Sequence, residues 1–396
     1  MTLPSTYFDV LVKRDPEMVM YVRKDIKSLQ GTQQVPFGST DDYSQYFEKY
    51  ISSVTKKVIE YAQNQIYPMG VSSPMEAEKL VNQFYDSEDY KSFMYCKQAD
   101  YLTLTNFELF GKKSFHISSN LVEHLSQTNL EVDSELLRMP FDSCLFVYGS
   151  KTAIRAFHAF DIHEEVIDYS TPISVFAHSR PAEGGEKKIV FACWHANHKH
   201  SYSFVKRELL IRKNWSITQI LKTDWDDIYS YSETNEPEEV PISELVLGKK
   251  NGDAIFYEKG LMFFRILINT ILYLSSNQPD IVTRFSPYLN LQNRLKSLKS
   301  KSKINKITKQ LAQSSQLDYS EVGGNLSPII VDKIPSFGSS SSQVFVGKFV
   351  KRFIVRGHWR NQPCGHNRSE KTLVWIKPYY KGPEMAELVN KPYLVK

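Results

Sequence analysis

The residues best equipped for chemistry lie close together near the C-terminal end, in KRFIVRGHWRNQPCGHNRSEKTLVWIKPYYKG, residues 351–382. This stretch interleaves Arg352, Arg356, Arg360, Arg368 and Lys377 with His358, Trp359 and Trp375. Guanidinium groups grip phosphates through two-point hydrogen bonds, and indole or imidazole faces stack on unpaired bases. These eight residues are the candidate nucleic-acid-binding set, better matched to single-stranded or structured RNA than to a duplex groove. The competing reading is a hairpin whose tryptophans pack in the core while its arginines answer acids of the body. The sequence leaves both open.

Catalytic and metal chemistry find less support. Arg360, Asn361 and His366 fit a metal-free ribonuclease in which arginine and histidine activate a ribose 2′-hydroxyl. That chemistry needs both residues on one helical face, and Pro363 and Gly365 between them break helices. His358 with His366 makes an alternative acid–base pair. CWHANHKH places Cys193, His195, His198 and His200 in a zinc-like composition whose spacing fits no familiar zinc module, so we expect polar turn residues and a buried thiol. Asp224, Asp226 and Asp227 read as a solvated loop. Phosphate-loop, dinucleotide, nucleophile-elbow and HExxH signatures are missing, so no enzyme class is supported and we expect neither cofactor nor metal.

The net charge of +5 hides an asymmetry. Residues 284–396 hold 20 Lys+Arg against 6 Asp+Glu, or +14, which leaves 29 against 38, or −9, for residues 1–283. An acidic body with a basic C-terminal region points to a polyanionic partner, or to neutralisation within the fold. The 41% hydrophobic and 13% aromatic content supports a sizeable core and excludes wholesale disorder. Cys96, Cys144, Cys193 and Cys364 form no CxxC pair, so a disulfide framework is not expected. The opening MTLPSTYFDVLVKRDPEM lacks a signal-peptide pattern, and Arg265 and Asn269 interrupt the longest apolar run, Leu261 to Leu274. A cytoplasmic protein with no membrane contact is the expectation.

These residues must be positioned by an α+β frame. Residues 1–130 read as a helical N-terminal region, with helices over Asp41–Ile66, about Pro74–Tyr85, and Ser119–Leu125. Residues 131–290 read as an α+β core, a central antiparallel sheet around a buried helix. Its strands are Cys144–Tyr148, Ile173–Ala177, Lys188–Trp194 and Ser201–Ile211, the last two joined across Ala196–His200. An acidic loop, SETNEPEEVP, separates them from the all-round apolar helix GLMFFRILINTILYLS, ended by Pro279. Residues 291–343 hold a basic helix or linker, with seven Lys/Arg and no acid over Arg294–Lys309, then a Ser-rich joint, SFGSSSSQ. Residues 344–396 form the basic aromatic hairpin, with VFVGKFVKRFIV and KTLVWIKP as strands and HWRNQPCGHNRSE as loop.

Three blocks carry a resemblance: LLRMPFDSCLFVY (136–148), INTILYLSSNQPDI (268–281), and RGHWRNQPCG with WIKP (356–378). Together they resemble a broad family of phage, plasmid and bacterial proteins that includes a type V-A anti-CRISPR protein suppressing production of its target nuclease. The third block supplies Arg356, Gly357, His358, Trp359, Gly365, Trp375 and Pro378. The resemblance implies a non-enzymatic regulator of mobile-element origin. Its implied partners are RNA or a ribosome–nascent chain, and a protein target such as a CRISPR effector nuclease. The alternatives are a toxin-like metal-independent ribonuclease and a DNA-binding replication or partition accessory using the basic helix.

Overall fold

The computed structural model describes residues 6–29, 45–66, 79, 83, 88–158, 167–182, 185–196, 202–223, 254–313, 317–328, 351–381 and 387–388. Of the expected helix at 74–85 only residues 79 and 83 are described, both helical, and the SETNEPEEVP loop, the Ser-rich joint and the Asp224–Asp227 group lie outside these residues.

The chain opens with helices α1 (Tyr7–Arg14), α2 (Pro16–Leu29), α3 (Gln45–Ile66) and α4 (Glu88–Leu109). Thr6 starts α1 with a reciprocal capping box, its backbone N–H donating to Asp9 Oδ2 at 3.0 Å. There follow β1 (Lys113–Ile117), α5 (Ser119–Ser126), β2 (Ser143–Tyr148), α6 (Lys151–Phe157), β3 (Ile173–Pro181), β4 (Lys187–Ala196), β5 (Tyr202–Ile211) and α7 (Ala254–Leu274). The last portion runs β6 (Ile281–Arg284), α8 (Tyr288–Ser297), α9 (Lys301–Gln313), β7 (Tyr319–Val322), β8 (Lys351–Val355), β9 (His358–Cys364), β10 (Glu370–Ile376), β11 (Tyr379–Lys381) and β12 (Glu387–Leu388).

Seven strands form one sheet in the order β5-β4-β3-β2-β1-β7-β6. Every residue of β2 is buried, because the sheet is covered on both faces. Cys144, Phe146 and Tyr148 point into a core roofed by α5, α6 and α7. Leu145 and Val147 point into a second core built from α1 to α4, where Phe176 and Trp194 join them. Each large apolar side chain so enclosed contributes about 1.5–3 kcal/mol. Tyr148 also donates its hydroxyl to Thr270 Oγ1 of α7 at 3.0 Å, tying strand to helix.

The α+β class, the helical N-terminal part, the buried helix and a C-terminal hairpin are all present. Three details differ from expectation. The sheet is mixed rather than antiparallel, since β1 pairs in parallel with both β2 and β7. Parallel neighbours need a crossover, which α5 and the chain beyond it supply between β1 and β2. The hairpin is also shifted along the chain. The segment expected as its loop contains β9, which pairs antiparallel with β10, Trp359 opposite Trp375. Strand β8 instead joins β11 and β12. Pro363 is tolerated in β9 because this sheet has two strands, leaving an outer edge that needs no donor. The Arg294–Lys309 stretch forms not one helix but parts of two, α8 and α9, which pack together.

Candidate interface at the C-terminal hairpin

The hairpin is fastened to the body by the residues that first suggested base stacking. Trp359 is buried, and its indole N–H donates to Asn269 Oδ1 of α7 at 2.8 Å. The same Asn269 side chain donates from Nδ2 to the carbonyls of Leu125 and Thr128, at 3.0 and 3.1 Å. One buried amide thus joins α7, the end of α5 and the hairpin. Trp375 lies 6.2 Å from Trp359 between ring centres, makes an edge contact with Tyr273 at 5.2 Å, and donates from Nε1 to Thr128 Oγ1 at 3.2 Å.

Gly357 completes the joint. Its N–H donates to the Gln127 carbonyl at 3.0 Å, and its own carbonyl accepts from Asn129 N–H at 2.8 Å. A Cβ here would lie 2.6 Å from Thr128 Oγ1 and 2.8 Å from Pro378 Cδ, so only glycine permits the approach. At the hairpin tip Gly365 has φ 75°, in the left-handed region that favours glycine. Gly357, Trp359, Trp375 and Pro378 are therefore docking residues. The sequence holds a trace of this in Asn269, a lone amide inside an apolar helix; Thr128 gives no signal.

With the indoles turned inward, strand alternation sends His358 and Arg360 outward. Arg356, Arg368 and Lys377 are exposed as well, while the Arg352 side chain falls outside the described set. Arg356, His358 and Lys377 gather at the root of the hairpin, where His358 stands opposite Ile376. Arg360 lies further along β9, and Arg368 sits in the short 3-10 turn at the tip. The exposed members form a cationic strip, not a stacking platform.

The ribonuclease constellation is not assembled. Arg360 lies four residues before the end of β9, roughly 13 Å of strand at about 3.3 Å per residue, and His366 belongs to the turn beyond. His358 and His366 occupy opposite ends of the hairpin. Of the Cys/His cluster, Cys193 and His195 are buried in β4, while His198 and His200 lie outside the described residues. His195 Nε2 donates to the Thr171 carbonyl at 3.1 Å, which leaves Nδ1 to accept from His158 Nε2–H at 2.7 Å. Burial, aided by His158, pushes His195 down to about 4, and burial pushes the Cys193 thiol up. Among the described residues no three His, Cys, Asp or Glu side chains gather as a metal site requires. None of the described helices is long and apolar enough to cross a membrane.

Residues 115–380 match the model of the AcrVA2-like, anti-CRISPR type V subtype A2 family, well over half of the chain. The chain belongs to that family. The AcrVA2-like span runs from within β1 to within β11 and so includes the fastened hairpin and every candidate residue from Arg352 to Lys377. Membership supports an anti-CRISPR role of mobile-element origin, directed at a CRISPR protein target. Neither a curated protein nor a solved structure matches the chain.

Proposed function

We propose that this AcrVA2-like protein suppresses the expression of a type V CRISPR effector by contacting its nascent peptide, its RNA, or both. The observation that carries the reading is the family match over residues 115–380. The exposed cations of the hairpin, Arg360, Arg368 and Lys377, add a surface suited to phosphate beside the two-stranded support. Action occurs in the cytoplasm, where the effector is translated.

The test is co-expression with a type V subtype A effector nuclease in a bacterial host, following effector protein and mRNA separately. The expected result is loss of both, with an effector whose first codons are recoded to a different peptide escaping. Unchanged effector mRNA and protein, with nuclease activity inhibited after synthesis, would defeat the reading.

A further inference from the structure

Strand β6 ends the seven-stranded sheet, and among the described residues it pairs only with β7. Its free side is well defined. The Asp280 carbonyl accepts from Gly323 N–H at 2.8 Å, so in the antiparallel alternation Val282 and Arg284 face β7. Ile281 and Thr283 therefore aim their backbone N–H and C=O groups away from the sheet. Such an edge is a template for another strand, and proteins commonly blunt it with charge, proline or a cover.

Here the edge is apolar instead. Ile281 and Val282 are 38% and 36% exposed, Phe285 just beyond is 80% exposed, and Leu289 is 70% exposed. Ile281 stands opposite Val322, a buried member of the core beneath α7, so its side extends the apolar face of the sheet outward. Arg284, the charge within β6, is bound to Glu321 through Nε at 3.1 Å and Nη2 at 3.0 Å.

Charge selects the occupant. Immediately after β6, α8, α9 and the link between them present seven exposed Lys/Arg from Arg294 to Lys309, with no acid in that stretch. Ser286 N–H, bonded to Asp318 Oδ1 at 2.7 Å, fixes the short link from β6 into α8. A second copy joined edge to edge would bring two such helix pairs together, and like charges oppose that. An acidic extended peptide meets the opposite sign.

We propose that the β6 edge is a peptide-docking site, taking an extended, partly apolar and acidic segment as an additional strand beside Ile281 and Thr283. It rests on the peptide-contact reading above only for where such a segment would come from.

The test is fluorescence anisotropy with the full chain and a labelled peptide of alternating valine and threonine flanked by glutamates. The wild type should bind, whereas the same peptide N-methylated along its outer amides, or flanked by lysines, should not. Thr283→Pro removes a donor from the free side alone, so affinity should fall at least about tenfold with the melting temperature held. Ile281→Lys with Phe285→Ser should do the same without a proline. Equal binding by these variants, equal binding of the methylated peptide, or no binding by the wild type would overturn the proposal. So would displacement by single-stranded RNA that is unaffected by Thr283→Pro and lost on reversing the α9 lysines. In the co-expression assay, suppression by Thr283→Pro equal to wild type overturns the docking site alone, whereas a wild type that never suppresses overturns the functional reading alone.

Discussion

Asn269 and Trp359, 90 positions apart in the chain, form the buried side-chain hydrogen bond that ties the hairpin to α7. The amide is fully engaged, since the oxygen takes the indole proton and Nδ2 serves two carbonyls. Asn269→Leu keeps the branched shape but strands the Trp359 N–H and the Thr128 carbonyl, whereas the Leu125 carbonyl still accepts from Thr128 N–H at 3.1 Å. Each orphaned buried group costs about 1–3 kcal/mol, so a total of about 3 kcal/mol is expected. Trp359→Phe, which leaves only the Asn269 oxygen without its donor, should cost less. Urea unfolding of the two variants measures the difference.

Gly357→Ala should loosen the hairpin without melting the sheet. The added methyl cannot fit against Thr128 and Pro378, and overpacking of this kind costs about 1–3 kcal/mol. Hydrogen exchange should rise selectively over residues 356–378. Uniform exchange across α7 and β2 instead would mean that hairpin and body unfold as one unit.

Arg360→Glu combined with Lys377→Glu reverses two exposed charges of the strip. Stability should change by less than about 0.5 kcal/mol, because neither side chain is buried. Association with single-stranded RNA should weaken, and the slope of log affinity against log salt should flatten by about 0.7 for each phosphate that the strip no longer neutralises. An unchanged affinity with a steep slope would move RNA binding to α8 and α9.

Acid should destabilise the protein. His116 and His195 are pushed down from 6.5 to about 4, chiefly by burial, and His178 is also held well below its ordinary value. The unfolded chain takes up protons on these rings near 6.5 while the folded chain refuses them. Their contribution is therefore complete above 6.5 and is lost as the pH falls towards 4. Asp100 opposes this, since burial pushes its carboxyl up to about 7 and favours the fold at lower pH. Three rings outweigh one acid, so the melting temperature should drop across this window. His195→Gln should drop less steeply, by about 1.4 kcal/mol per pH unit, and an identical slope would exclude His195 from the effect.

The elements with a strong local pattern were legible in the sequence. Helix α7 is apolar all round because it is enclosed, and β2 reads as a continuous apolar run because both its faces are covered. The β4–β5 pairing follows from two neighbouring runs rich in β-branched and aromatic residues, Lys188–Trp194 and Ser201–Ile211, separated by a short polar stretch of sequence. Strands β1, β6 and β7 carry no such signature; each is four or five residues long, and their pairings join segments as distant as Phe115 and Ser320. Strand β9 is masked by Asn361, Gln362 and Pro363, polar or ladder-breaking residues that a free edge accommodates. At the candidate site Arg356, Arg360, Arg368 and Lys377 are exposed, whereas the direction of Trp359 and Trp375 is undecidable from sequence. An indole serves equally as a stacking face or a core wedge, and what settles it is Asn269 and Thr128, remote in sequence.

The family-matched span begins at residue 115, beyond the four helices α1 to α4, yet those helices are not a detachable ornament. Tyr7 stacks on Trp194 at 4.3 Å and donates its backbone N–H to Ser174 Oγ at 2.9 Å. A fragment trimmed to the matched span would bare Leu145, Val147, Phe176 and Trp194 together. That naked sheet would be sticky in any cell and would confound pull-downs with adventitious partners. The apolar lid that α1 to α4 supply must therefore stay with the matched span in any fragment of this chain that is to remain folded.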